Sequence, residues 1–266
     1  MSLERKPQTA EINGRLWGKR AHDWAYIQEE MVLPVYKAVY DHIGLTAGIS
    51  HLDIGCGSGM AAQVASERGA NISGLDAAEN LLAIARTRVP NGEFYLGEME
   101  SLPFPDNSFD LVTGFNSFQY AGNPGAALAE AKRVARHGAD VVIVTWGEPK
   151  GMGAAALITA IKPLLPAPPP GTPGPFALSE EAALREFAAS ADLSPTEVFD
   201  VVAPWHYPDK ATALRALKST GVAIRAIEHA SEAAVDSAHS EAIEPFRQAD
   251  GSYLVDASFR CLVARA

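Results

Sequence analysis

The stretch that most constrains the fold is "LDIGCGSG", residues 52–59, in which a short apolar run contains an acid and three glycines follow at alternate positions. Glycine in a turn between a strand and a helix lets a ligand approach the backbone closely, because no Cβ intervenes. From about residue 49 to residue 146, short apolar runs alternate with amphipathic helical patterns. This alternation predicts an α/β fold with a doubly wound parallel sheet, in which the glycine turn lies at the carboxyl end of the first strand.

Hydrophobic spacing and helix breakers predict the individual elements of this fold. The predicted strands of the core are residues 49–54, 71–75, 94–96, 109–115 and 140–146. The predicted helices are residues 60–68, a second helix that Pro90 stops, and a third whose apolar face is Ala127, Leu128, Ala131, Val134 and Ala135. Later in the chain we expect a helix over 180–191, a strand over 196–203 and a last strand formed by "SFRCLVARA".

Two domains are predicted from the change in pattern along the chain. Residues 1–48 are helical in pattern and rich in aromatic residues, and we interpret them as an N-terminal lid on a domain spanning 49–266. Within that domain, residues 163–175 hold seven prolines and are expected to form neither a helix nor an inner strand. A helical cap is predicted at about 205–247, with Gly221 as a break between its helices.

Composition narrows the classes of function. A net charge of −10 without a basic cluster argues against nucleic-acid binding, which depends on Lys and Arg neutralising phosphates. The two cysteines, Cys56 and Cys261, predict neither a disulfide framework nor a metal site. The longest apolar run is too short to span a bilayer, and the first 15 residues lack the apolar core of a secretory signal. We therefore expect a cytoplasmic protein that acts on a small molecule and has no membrane span.

The spacing of the glycines and the acid next to them indicate which ligand the turn holds. Glycines at 55, 57 and 59 are one residue short of the dinucleotide pattern, and a phosphate-binding loop would need a nearby lysine that is absent. Asp53 would repel a pyrophosphate but suits a cationic ligand such as S-adenosylmethionine, which carries an ammonium, a sulfonium and no phosphate. Asp76 ends the second strand, where an acid accepts hydrogen bonds from ribose hydroxyls, although it could instead cap the following helix.

Three segments together resemble the core motifs of the class I S-adenosylmethionine-dependent methyltransferases: "LDIGCGSG", "GLDAAENLLAIAR" and "GEMESLPFPDNSFDLVTGFNSFQY". The resemblance is to the methyltransferase type 11 branch, which includes quinone-biosynthesis and small-molecule enzymes. It implies a Rossmann-like seven-stranded sheet with an antiparallel last strand and S-adenosylmethionine as cofactor. The cofactor-binding residues that it implies are Asp53 beside the methionine end, Gly55, Gly57 and Gly59 in the turn, Asp76 on the ribose, Glu98 and Met99 at the adenine, and Asn116 at the methionine moiety.

The substrate is expected beyond the carboxyl ends of the strands. "NSFQYAGNP" after the fourth strand and "PWHYPD" at 204–209 are the predicted pocket walls, which place Phe118, Tyr120, Trp205 and His206 at the substrate. If the reaction needs a base, the candidates are His206, Tyr120 and His22, with His206 partly desolvated by its aromatic neighbours. A structural histidine bonded to the backbone is the alternative for His206.

Other interpretations stay open at this point. Trp17, Trp24 or Tyr26 of the lid are expected to contact the bound ligand. The alternative explanation for these aromatic residues is that the segment packs permanently against the sheet. A noncatalytic member of the methyltransferase family could keep the fold and bind the cofactor as a regulator, without transferring a methyl group. An NAD-dependent oxidoreductase would share the sheet and Asp76, but not Asp53 or the glycine spacing.

Overall fold

A seven-stranded sheet forms the centre of the protein in the computed structural model, which describes residues 9–168 and 174–266. Its strand order is β3-β2-β1-β4-β5-β9-β6. The strands of this sheet are β1 Ser50–Ile54, β2 Asn71–Asp76, β3 Glu93–Leu96, β4 Phe109–Phe115, β5 Ala135–Trp146, β6 Ser194–Val202 and β9 Ser258–Arg265. The predicted Rossmann-like α/β fold is confirmed, and the strand order reverses between β1 and β4, where such sheets bind ligands.

The last strand, β9, is antiparallel to both of its neighbours, as the resemblance implied. It pairs with β5 through Val142 and Val263, and with β6 through Val198 and Leu262. Strands β1 to β5 pair in parallel. The apolar segment "DVVIVTW" is covered on both faces, which explains why it does not alternate between polar and apolar residues.

Helices cover both faces of the sheet, and the predicted core helices are present together with one, Gly153–Ala160, that has no predicted counterpart. The helices of the core are α4 Met60–Glu67, α5 Glu79–Arg88, α6 Pro124–Val134, α7 Gly153–Ala160 and α8 Glu181–Ala189. The prediction that Ala135 belongs to the helix before β5 is wrong. Ala135 is the first residue of β5 and pairs with Phe109, because the strand begins as soon as α6 ends.

The N-terminal segment is helical from Ala10 to His42, as predicted. It comprises α1 Ala10–Gly18, α2 Ala21–Asp23, a π-helical turn Trp24–Gln28, a 3-10 turn Glu29–Val32 and α3 Leu33–His42. The π-helical and 3-10 turns between α2 and α3 have different numbers of residues per turn from an α-helix, which changes the directions of successive side chains. Residues that are close in this segment can therefore contact different elements of the domain.

The cap differs from its prediction at its first residues. Trp205–Tyr207 form a strand, β7, which pairs with β8, Tyr253–Val255, in a separate two-stranded sheet. The helices of the cap are α9 Lys210–Leu217, α10 Gly221–His229 and α11 Glu232–Ile243. The break predicted at Gly221 falls between α9 and α10, and Gly221 is the first residue of α10, which Thr220 caps by accepting a hydrogen bond from the Ala223 amide.

The proline-rich segment is described in part, because residues 169–173 of the predicted insert lie outside the described residues. Contrary to the prediction that this segment forms no helix, Pro163 lies in a one-turn 3-10 helix, Lys162–Leu164. Proline is accepted there because the first turn of a helix has no internal acceptor for its missing N–H.

Candidate functional site

The glycine turn joins β1 to α4 and has a backbone that favours glycine at three positions. The φ angles of Gly55, Gly57 and Gly59 are 73°, 54° and 80°. A Cβ on Gly55 would lie 2.5 Å from the Ser117 Cβ, and one on Gly59 would lie 2.8 Å from the Ala85 Cβ. The turn is therefore packed between the end of β4 and α5, and side chains at these two positions would force it apart.

Gly57 faces a different neighbour, the N-terminal segment. A Cβ at this position would lie 3.4 Å from Glu29 Oε1 and 3.5 Å from the indole nitrogen of Trp24. The segment before the sheet thus reaches the residue at the centre of the turn.

Asp76 holds the turn from the end of β2. Its two carboxylate oxygens accept hydrogen bonds from the Gly57 amide, at 2.9 Å, and the Ala78 amide, at 2.8 Å. Burial raises its pKa, and these amides oppose the rise. The N-cap residue of α5 is Ala78 and not Asp76. Each carboxylate oxygen retains a lone pair, so Asp76 can still accept hydrogen bonds from a ligand.

Asp53 is buried one strand away and belongs to a chain of three polar side chains. Thr113 donates its hydroxyl proton to Asp53 Oδ1 at 2.8 Å, and His51 Nε2 lies 2.8 Å from the same hydroxyl oxygen. Burial lowers the pKa of His51 to about 3, so its ring is neutral and donates from Nε2 to Thr113. His51 therefore orients Thr113 without supplying a charge that would neutralise Asp53.

The pKa of Asp53 is raised to about 7. Burial is the main cause, the hydrogen bond from Thr113 opposes it, and the carboxylates of Glu29 and Asp76 raise the value further. The surroundings of Asp53 therefore disfavour a further negative charge beside this side chain and favour a positive one.

A buried ion pair that sequence reasoning missed connects the N-terminal segment to the turn. Glu29, 2% exposed, accepts hydrogen bonds from Ser58 Oγ and from Nη1 of Arg88 at the end of α5. Arg88 also donates to the Ser58 carbonyl oxygen at 3.1 Å and to the Ala25 carbonyl oxygen at 2.5 Å. Burial raises the pKa of Glu29, and Arg88 opposes that effect. No sequence signal separates Glu29 from the exposed Glu30, because the partner lies 59 residues away.

Aromatic rings of the N-terminal segment lie over this part of the sheet. Trp17 packs edge-on against Trp24, with ring centroids 4.9 Å apart, and against Tyr120 at 5.4 Å. The indole nitrogen of Trp24 is buried and has no hydrogen-bond partner among the described residues. Asn13 donates to the Tyr120 carbonyl oxygen at 2.8 Å, which ties α1 to the loop after β4.

Glu98, Met99 and Asn116, which are expected at the adenine and methionine ends of the cofactor, make the following contacts. Glu98 accepts a hydrogen bond from the Ala10 amide at 2.8 Å and so contacts the beginning of α1. Met99 is half-buried and packs against the apolar cluster that contains Leu75. Asn116 has a positive φ of 53°, and its side-chain oxygen accepts a hydrogen bond from Gln119.

Three of the residues predicted to line the substrate pocket do not have the expected surroundings. Phe118 is 1% exposed and packs in the core against Gly114, and Trp205 is 3% exposed beside Trp146. His206 lies between two buried aromatic residues of β7 but is itself exposed. Because successive residues of a strand point to opposite faces, Trp205 and Tyr207 turn inward and His206 outward. The predicted desolvation of His206 is therefore wrong.

The other two candidate bases, Tyr120 and His22, differ in burial. Burial raises the pKa of Tyr120 to about 12, so its phenol stays protonated at neutral pH. His22 is exposed, and its ring lies 4.6 Å from the ring of the exposed Tyr26. Within residues 9–168 and 174–266, we find no group of three or more His, Cys, Asp or Glu side chains that could hold a metal ion.

Comparison with known proteins finds a family profile and several relatives that are similar to part of this chain. Residues 52–143 match the profile of a family described as "Methyltransferase domain". The chain is 32% identical over 113 residues to a demethylmenaquinone methyltransferase of Renibacterium salmoninarum, a match that covers 42% of this chain and 48% of that protein. It is 36% identical over 106 residues to the malonyl-acyl-carrier-protein O-methyltransferase of Serratia marcescens, covering 38% of this chain and 42% of that protein. The matched stretch thus spans less than half the length of these relatives.

The fold is shared with solved structures. A crystal structure of an S-adenosylmethionine-dependent methyltransferase from Aquifex aeolicus superposes with a TM-score of 0.53 at 21% identity, covering 69% of this chain and 93% of that one. At this identity the likeness establishes the fold alone.

Proposed function

We propose that this chain, whose residues 52–143 match the methyltransferase-domain profile and whose seven-stranded sheet has the order β3-β2-β1-β4-β5-β9-β6, is an S-adenosylmethionine-dependent methyltransferase that acts on a small organic molecule. The observation that carries the proposal is the set of carboxylates around the glycine turn. Asp53 and Asp76 lie at the carboxyl ends of adjacent strands, and burial raises the pKa of Asp53 to about 7, so a bound cation would favour its charged form.

The residues present fit this cofactor better than a dinucleotide. A pyrophosphate needs free amides and positive charge at a helix start. In this turn the amides of Gly55 and Cys56 donate to the Leu75 carbonyl oxygen, and the Gly57 amide donates to Asp76. An ammonium and a sulfonium would instead relieve the repulsion between the buried acids.

The roles that we assign within the site follow from these positions. Asp76 would accept hydrogen bonds from the ribose hydroxyls through its remaining lone pairs, and Asp53 would stabilise the charged methionine end. Glu98 and Met99 would lie at the adenine, and Asn116 beside the methionine moiety. When bound, the cofactor supplies an electrophilic methyl group, and the chain's own task is to orient it and exclude water.

The methyl acceptor would enter under the aromatic residues of the N-terminal segment. Trp17, Trp24 and Tyr120 form an apolar wall next to the turn, which suits an organic molecule rather than a phosphate backbone. The net charge of −10 supports the same choice.

Among the residues that the structure describes, no helix is long and apolar enough to cross a membrane. The free thiols of Cys56 and Cys261 would suit a reducing, cytoplasmic compartment.

The proposal is tested by calorimetric titration of the purified chain with S-adenosylhomocysteine and with NADH. We expect saturable binding of the first ligand alone, and binding of NADH alone would overturn the proposal. Turnover is then sought by incubating the protein with S-adenosylmethionine and a panel of metabolites, with release of S-adenosylhomocysteine as the readout. Binding without release for any acceptor would favour a cofactor-binding protein without turnover.

A further inference from the structure

The amino-acid end of S-adenosylmethionine carries a carboxylate as well as an ammonium, and the site needs a donor for it. The carboxylates of Asp53 and Asp76 suit the cationic and hydroxyl groups of the ligand and would repel its carboxylate. Four of the five backbone amides of residues 55–59, those of Gly55, Cys56, Gly57 and Gly59, already donate to acceptors within the protein. A side-chain donor from outside the turn would complete the binding of a carboxylate.

Arg88 is the cation nearest to the turn by its contacts, but its charge and the donors of its Nη1 are engaged within the protein. Its Nη1 donates to Glu29, to Ser58 Oγ at 2.9 Å and to the Ser58 carbonyl oxygen, and its Nη2 donates to Ala25. Glu29 neutralises its charge at close range. Arg88 thus serves the packing of the N-terminal segment rather than a ligand.

Trp24 has the properties that the site requires. Its indole N–H is buried and has no acceptor in residues 9–168 and 174–266. The nitrogen lies 3.5 Å, and Glu29 Oε1 lies 3.4 Å, from the point that a Cβ of Gly57 would occupy, whereas the amide of the same glycine points to Asp76. Arg88 balances the charge of Glu29, so the indole N–H is the donor that this point offers to an anion. A buried donor without an acceptor is costly, and native proteins rarely leave one unless a ligand or water completes it.

We propose that the indole N–H of Trp24 binds the carboxylate of the cofactor's amino-acid moiety and makes Trp24 a cofactor-binding residue of this chain. This inference rests on the proposed function. Two parts of the cofactor would then lie on opposite sides of Gly57. Asp76 would bind the ribose on the side of the Gly57 amide, and Trp24 would bind the amino-acid carboxylate on the side from which a side chain would project. The π-helical turn Trp24–Gln28 places this ring at the turn while Glu29 contacts Ser58.

The test compares two ligands that differ in the amino-acid moiety. 5′-Methylthioadenosine has the adenosine and the thioether of S-adenosylhomocysteine but lacks the carboxylate and the ammonium. Trp24→Phe removes the N–H and keeps an aromatic ring. We expect its affinity for S-adenosylhomocysteine to fall about 10- to 100-fold, as for loss of a hydrogen bond to a charged group, while its affinity for 5′-methylthioadenosine stays unchanged.

The matched control is Trp205→Phe, because the indole nitrogen of Trp205 is also buried without a partner but lies in the core beside Trp146. This variant should bind both ligands as the wild type does. Equal losses for both ligands in Trp24→Phe, or no loss for either, would overturn the proposal. Wild-type protein that binds neither ligand would instead refute the proposed function.

A measurement on the wild type covers the case in which Trp24→Phe fails to fold. The protein has four tryptophans, so a ¹⁵N-indole spectrum contains four N–H signals that can be assigned with the two variants or with Trp17→Phe and Trp146→Phe. We expect the Trp24 signal to move downfield when S-adenosylhomocysteine is added and to move less when 5′-methylthioadenosine is added. An unchanged signal at saturation with S-adenosylhomocysteine would contradict the proposal.

Discussion

Breaking the buried ion pair between Glu29 and Arg88 should strongly destabilise the protein. The side chains of Arg88 and Glu29 are 11% and 3% exposed, so solvent does not screen the pair appreciably. Arg88→Met removes the cation and leaves the Glu29 carboxylate buried with only Ser58 and a backbone amide as partners. Removal of one partner of a buried pair costs about 3–5 kcal/mol of unfolding free energy, and we expect a loss in that range.

The pH dependence of this loss identifies its cause. Without Arg88, the pKa of Glu29 in the folded state should rise further above its value in the unfolded chain. The charged form then destabilises the folded protein, so the deficit relative to wild type should shrink as the pH falls towards 5 and grow as it rises to 8.

The assay is urea denaturation followed by circular dichroism at several pH values. Glu29→Gln and the double variant Glu29→Gln/Arg88→Met complete a cycle, in which we expect a coupling energy of about 1–3 kcal/mol. Arg15→Met is the control, because Arg15 pairs with Glu228 on the surface, where its side chain is 56% exposed and little stability is lost. A loss for Arg88→Met no larger than that of the control, or independent of pH, would refute the reasoning.

Two further predictions concern the ligand. Because the pKa of Asp53 is raised to about 7 and a cationic ligand favours its ionised form, the affinity for S-adenosylmethionine should fall by up to about tenfold from pH 7.5 to pH 6. Asp53→Asn should abolish this dependence, and a wild-type affinity that is flat with pH would contradict the assignment. If residues 1–48 act as a lid, hydrogen exchange should show added protection across residues 11–30 on cofactor binding. No change there would favour permanent packing of the segment, to which the Glu29–Arg88 pair already contributes.

The sheet and the glycine turn could be predicted because their signals are local. The spacing of Gly55, Gly57 and Gly59, the acid at 53 and the strand ending at Asp76 all lie within 24 consecutive residues. In a parallel sheet, consecutive strands end at the same edge, so the position of Asp76 beside the turn follows from chain order alone. The direct bond from the Gly57 amide to Asp76 agrees with that expectation.

The predictions that failed depend on contacts between distant parts of the chain. The outward direction of His206 follows from the pairing of β7 with β8, in which His206 lies opposite Leu254. The sequence "PWHYPD" alone does not indicate that β8 is its partner. Whether these residues form a strand or a rigid turn decides which of Trp205, His206 and Tyr207 is exposed. The sequence similarly allows Phe118 to line a pocket or to lie in the core. Its ring packs in the core because Gly114 has no Cβ to occupy that space.

Titration of S-adenosylhomocysteine into the wild type and into Asp76→Ala measures whether the glycine turn and Asp76 bind the cofactor. We expect saturable binding to the wild type. In the variant we expect a loss of about 2–4 kcal/mol, roughly 30- to 1000-fold in affinity, because a charged acceptor shared by two hydroxyls is removed. If Asp76→Ala is folded, judged by its circular dichroism spectrum, and binds the ligand as tightly as the wild type, Asp76 does not hold the cofactor.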